Sequence, residues 1–350
     1  MGEVEKSVTN VALEGVVNNC TEEKELMHSV ITNIDDNSIF SAFPPVNGKI
    51  MGGEGITLEM LNGCVDALKP TESLIVRRLE NSTYHAANGY SSTQIRLVQR
   101  GGLGALDWYK NAPSRESKQG ALLIGTALHS AILEPECFEM QYLCAPEVDL
   151  RTKDGKQALA DFEAQAVASN QIVLKKDDFE QIELMRDSAV AYPLVVELLE
   201  NGAPELSIFY RTENGTLLKI RPDWLGLYSG VPFILDVKTT DDVHDFGKSV
   251  DKFGYHLQAA FYRIIAQKVF NLDIDFLFCA IGKRPECGRY PVQLGMLDEE
   301  DSEAWMARLA NGTGDAWRFP DGEIVHGFFE AEKESKRGER GARRTEEIPF

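Results

Sequence analysis

Between Glu205 and Tyr262 the chain alternates short apolar runs with turn residues, and carboxylates recur at the ends of those runs. Arg221-Pro222-Asp223 is followed by Ile234-Leu235-Asp236-Val237-Lys238, which sets Asp236 thirteen positions after Asp223. The spacing fits two neighbouring strands, each bringing an acid to one rim. Few folds meet that demand: it calls for a sheet, and for helices to cover the sheet's apolar positions.

The local signals agree. Glu205–Arg211 alternates like a strand, Glu213-Asn214-Gly215-Thr216 reads as a hairpin turn, and 217–225 and 233–238 are the next two strands, expected to be antiparallel. Tyr255–Phe270 has strong helical periodicity, with apolar strand runs following at 274–281 and 290–294. Upstream, Ser91–Gln94 resembles a helix start, and 120–134 is a helix that Pro135 ends. Residues 154–169 and 177–200 read as two more helices, and Asp298–Leu309 as a last one. Patches at 22–33 and 57–68 have helical character. The class is mixed α/β, a mixed central sheet flanked by helices.

The residue types define the chemistry. Hydrolysing a phosphodiester requires an activated water, neutralisation of the charge that builds on phosphorus and a stabilised leaving oxygen, and Mg²⁺ held by carboxylates meets these needs. Asp223 and Asp236 can converge on one ion. Lys238 shares a strand face with Asp236 by period-two alternation, so its ammonium can orient water or offset phosphate charge. Val237 points to the other face, but its backbone carbonyl can reach the metal. Glu205, opening the first strand of the same sheet, is a further carboxylate. His129, on the 120–134 helix, is a candidate imidazole ligand for Mg²⁺ or Mn²⁺. Gln258 and Tyr262 share a helix face at i, i+4 and can meet a phosphate or base. Lys248, Lys252, Arg263 and Lys268 offer local cations. Each of these signals also has a bland reading: solvated strand ends, a Pro turn, a core histidine, helix-surface polar groups. Their order and spacing together give them meaning.

The chain has 350 residues and a net charge of −19, a balance opposed to a general nucleic-acid coat but compatible with local cations at a metal site. No run is apolar enough to span a bilayer, and the start lacks the features of a signal peptide, so the expectation is a cytoplasmic protein with reduced thiols and no membrane partner. The six cysteines form no CxxC pair. Gly247-Lys248-Ser249 ends like a P-loop, but Asp242 stands where that motif opens on glycine. Residues 1–83 read as an accessory or partly disordered N-terminal segment, 84–326 as the domain carrying the site, and 327–350 as a charged mobile tail.

The runs Glu205–Tyr210, Lys219–Asp223, Leu235–Thr240 and Tyr255–Tyr262 resemble the RecE-type, exodeoxyribonuclease VIII-like branch of the PD-(D/E)XK nucleases. Tyr84–Gly89, Trp108–Pro113 and Gly125–His129 followed by Leu133–Glu136 are similar to it too, so the resemblance covers roughly 84–310. It implies a restriction-endonuclease-like core and an active site of His129, Glu205, Asp223, Asp236 and Lys238, with Gln258 and Tyr262 as the Gln-xxx-Tyr motif. It further implies Mg²⁺-dependent 5′ to 3′ degradation of linear double-stranded DNA in phage or prophage recombination, a ring-shaped homo-oligomer and a single-strand annealing recombinase as partner. Two alternatives stand beside it: a nuclease-fold adaptor that binds DNA or protein without catalysis, and an iron–sulfur nuclease of the same superfamily.

Overall fold

The strands expected between Glu205 and Lys238 form, but they belong to two sheets. The structure, a computed structural model, describes residues 38–111, 119–297 and 345–347. In chain order its strands are β1 (Gly48–Gly52), β2 (Ser73–Arg77), β3 (Tyr142–Cys144), β4 (Ile172–Leu174), β5 (Gly202–Pro204) and β6 (Ser207–Arg211). There follow β7 (Leu217–Ile220), β8 (Trp224–Tyr228), β9 (Val231–Thr240), β10 (Asp275–Gly282), β11 (Val292–Leu297) and β12 (Thr345–Glu347). The described residues fall into two units, one of 38–126 with 201–347 and one of 127–200.

In the larger unit a four-stranded sheet runs β1-β2-β6-β7 and a six-stranded mixed sheet runs β12-β11-β10-β9-β8-β5. The break between them falls at Arg221-Pro222-Asp223. Proline has no N–H for a ladder and restricts the residue before it. The single strand expected over 217–225 is therefore cut into β7, which pairs with β6, and β8, which pairs with β5 and β9. The hairpin β6–β7 turns as expected, with Gly215 at φ +89°. β9 and β10 are parallel, which requires the chain to cross over between them, and the helices Phe246–Phe253 and Tyr255–Phe270 make that crossing. Gly254, at φ +67°, ends the first helix and starts the second.

One core joins both sheets to the Tyr255–Phe270 helix. Ile75, Ile208 and Ile220 of the four-stranded sheet, Ile234, Phe276 and Phe278 of the six-stranded sheet, and Phe261, Ile265 and Val269 of the helix are all buried in it. Each such side chain contributes about 1.5–3 kcal/mol through burial. β1 and β2, together with the helix Leu58–Asp66 capped by the Thr57 hydroxyl, come from the segment that the sequence groups as accessory. β2 pairs antiparallel with β6. At the far edge β12, three residues of the charged tail, pairs with β11.

The smaller unit is helical, with β3 and β4 forming a short parallel pair. Phe138 stacks on Tyr142 with ring centroids 5.2 Å apart and lies 5.5 Å from Phe179. The run 177–200, read in sequence as one helix, is two: Lys176–Val190 and Pro193–Leu198. Pro193 interrupts the i→i−4 ladder and begins the second. The helices expected over 22–33 and 298–309 lie outside the described residues.

Candidate active site

The site forms where β8 meets β9. Trp224 pairs with Leu235 and Leu225 with Ile234, so extending the antiparallel register one step puts Asp223 opposite Asp236, on the same sheet face. Asp223 thus precedes β8; it does not end the strand expected over 217–225. One Asp223 oxygen, Oδ2, accepts the Val237 N–H at 2.7 Å. Asp236 is 1% exposed, and its oxygens are gripped from two directions. Gln258 Nε2 donates to Oδ1 at 2.8 Å, and Lys238 Nζ is ion-paired with Oδ2. Val237, between the two, is fully buried on the opposite face.

Glu205 corrects the sequence reading. It does not open a strand of the sheet carrying Asp236; it stands in the corner between β5 of one sheet and β6 of the other. Its N–H donates to the Asp223 carbonyl at 3.0 Å, and its backbone is left-handed, φ +49°. For a residue other than glycine that conformation costs about 1–2 kcal/mol. Such strain clusters where a side chain must be aimed. Arg221 does the aiming: its Nε is 2.5 Å from Glu205 Oε2, its Nη2 donates to the Leu79 carbonyl at 2.9 Å, and its guanidinium lies 5.3 Å from the Tyr84 ring centroid.

The electrostatics follow from this crowding. Burial alone would lower the Lys238 pKa, but the Asp236 and Asp223 carboxylates outweigh it and hold it above the ordinary lysine value. Lys238 is therefore an ammonium at neutral pH, a donor and a positive charge. Burial raises the Tyr262 hydroxyl well above the ordinary tyrosine range, so it stays protonated and donates to the Arg221 carbonyl at 3.3 Å. Three carboxylates, Glu205, Asp223 and Asp236, share this corner with two cations, Lys238 and Arg221. Glu205 and Asp223 each offer an oxygen within 4.8 Å of the other, and carboxylate oxygens in acidic excess fit a hard divalent ion.

Gln258 and Tyr262, read from sequence as contacts to DNA, are engaged with the site's own Asp236 and Arg221. His129 lies on the Gln119–Leu133 helix, in the part that belongs to the smaller unit, and is partly buried. Among the other expected cations, Arg263 is engaged with Asp273 and the Ile274 carbonyl, and Lys248 with Asp245. Among the described residues no cysteine joins a group of three side chains close enough to share a metal.

Two residues of the site carry weaker sequence signals. Arg221 registered only as part of a turn. Tyr255, whose ring centroid lies 5.2 Å from Lys238 Nζ, carried a legible signal: Tyr255, Gln258 and Tyr262 fall at i, i+3 and i+7, one stripe of a helix.

Comparison with known proteins finds a family and a fold neighbour. Residues 91–295 match the family described as "PDDEXK-like domain of unknown function (DUF3799)". A crystal structure described as "Putative exonuclease" from Eubacterium rectale is similar at 15% identity and a TM-score of 0.45, over 67% of this chain and 84% of that one. No curated protein matches. The family match spans more than half of the 350 residues and includes Glu205, Asp223, Asp236 and Lys238. The chain belongs to the PDDEXK-like DUF3799 family.

Proposed function

We propose that the chain is a metal-dependent exodeoxyribonuclease that degrades linear double-stranded DNA, 5′ to 3′, in recombination of the phage type. The observation that carries the chemistry is the facing of Asp223 and Asp236 across β8 and β9 with Lys238 against them. The finer attributes, polarity and RecE-type kinship among them, rest on the motif resemblance.

In this reading Asp223, Asp236 and the Val237 carbonyl would hold Mg²⁺, with Mn²⁺ as a substitute, and the motif resemblance adds Glu205 and His129 to the ligand set. A bound ion acidifies water and neutralises charge on the phosphorane. Lys238, kept cationic by its carboxylates, donates to the attacked phosphate and does not serve as a base. Gln258 fixes the Asp236 carboxylate from the helix side. The motif resemblance adds Gln258 and Tyr262 as contacts to the DNA. A ring of identical subunits and a single-strand annealing partner belong to the same proposal.

The test is digestion of end-labelled linear and closed circular duplex DNA with Mg²⁺, beside Asp236→Ala. Release of nucleotides from linear DNA only, absent in the variant, supports the proposal; cutting of circles makes the chain an endonuclease. A second reading is favoured by the net charge of −19: a binding module without catalysis. It requires binding of DNA or protein that EDTA leaves unchanged.

A further inference from the structure

We propose that Tyr255 is a positioning residue, holding the Lys238 ammonium against the face of its ring so that the ammonium keeps its place when a divalent ion takes Asp236. This deepens the phosphodiesterase reading and rests on it. Among the described residues Lys238 Nζ meets the Asp236 carboxylate and the Tyr255 ring, with the ring centroid 5.2 Å away. The lysine side chain is 16% exposed, so the attraction between ammonium and ring is little screened by water.

The ring itself is flanked by other rings. Phe253 stacks on it with centroids 5.6 Å apart, Phe246 at 6.1 Å, and Phe278 tilts against it at 6.1 Å. Tyr255 also begins its helix directly after Gly254, whose left-handed turn packs on Arg96, and Arg96 Nη2 donates to the Lys252 carbonyl at 3.1 Å.

The choice of a ring has a physical reason. A divalent ion on Asp236 competes with the ammonium for the carboxylate and repels it. A second carboxylate offered to Lys238 would itself be captured by the ion, since hard cations bind oxygen. An aromatic face attracts the ammonium yet is no ligand for Mg²⁺. The ring thus gives Lys238 a partner that the ion does not take.

The experiment reads the εCH₂ resonance of Lys238 in protein carrying ¹³C-lysine, assigned by its loss in Lys238→Arg, with and without Mg²⁺, alongside turnover. The expected result is a ring-shifted, upfield resonance in the wild type and in Tyr255→Phe in both conditions, moving to the ordinary lysine position in Tyr255→Leu. Turnover of Tyr255→Phe should stay within about twofold of wild type, and kcat of Tyr255→Leu should fall roughly 2- to 30-fold with KM for DNA unchanged. An ordinary Lys238 resonance in the wild type overturns the proposal even if Tyr255→Leu fails to fold. So does a folded Tyr255→Leu that cleaves as fast as the wild type. If the wild type cleaves no DNA, the phosphodiesterase reading fails and the resonance alone decides whether ring and ammonium meet.

Discussion

Asp223 and Asp236 face each other across one step of register, and like charges so placed repel unless positive charge lies between them. Lys238 supplies part of it. Removing it should leave the fold intact and cost about 10²–10³ in kcat, the usual loss for one electrostatic stabiliser of a transition state; single-turnover digestion of linear DNA by Lys238→Ala checks this. Gln258 acts a step further out, and Gln258→Leu should lose about 10–100-fold in metal affinity or rate, read by titrating activity against Mg²⁺. Lys219 gives a stability prediction away from the chemistry. Its Nζ is buried and donates to the carbonyls of Tyr84, His85 and Ala87 at 2.9, 3.2 and 2.6 Å. Burial pushes its pKa down to about 8, against about 10.4 in an unfolded chain. Between those values the unfolded state binds more protons, so stability gains with rising pH across that window, and the cost of the buried charge is full below about 8. Urea unfolding at pH 7 and 9.5 should show the wild type gaining on Lys219→Met at the higher pH; no relative gain contradicts it.

Elements explain why these side chains meet. Much of the site was legible in the chain because its parts are local: Asp236 and Lys238 share a face by strand alternation, and Gln258 shares a helix stripe with Tyr262. The Tyr255–Phe270 helix was readable from its period alone. What sequence could not disclose was pairing. Pro222 marks a break, but Glu205–Leu225 does not say that β6 and β7 join one sheet and β8 another, because that assignment depends on partners outside it, Ser73–Arg77 for β6 and Val231–Thr240 for β8. The alternation accordingly puts Glu205 on a strand, whereas it occupies the strained corner between sheets. That corner has its own sensitive point at Gly202, which pairs with Gly226 across β5 and β8. A Cβ there would lie 2.4 Å from Trp224 Nε1 and 2.6 Å from the Leu225 carbonyl. The indole is fully buried and the carbonyl is backbone, so neither yields cheaply. Gly202→Ala should destabilise by about 1–3 kcal/mol and lower activity by shifting Asp223; thermal melting and digestion of linear DNA together test it. Unchanged melting would mean that β5 moves freely.

The whole molecule sets the terms for its substrate. A net charge of −19 repels DNA, so under the proposed function productive contact would come from the metal and from cations concentrated near it. Among the described residues no helix is long and apolar enough to cross a membrane. Because the ion is to bind carboxylates assembled only in the folded state, binding and stability are linked. Saturating Mg²⁺ should raise the melting temperature of the wild type by a few degrees, about 2.7 kcal/mol at a hundredfold excess over Kd. Asp236→Ala should show no such rise, and EDTA should reverse it. The most direct check is crystallographic. Crystals grown with Mn²⁺ should show an anomalous peak between the Asp223 and Asp236 carboxylates, at about 2.1 Å from an oxygen of each. A peak at neither carboxylate, or ligation of one without the other, would contradict the account.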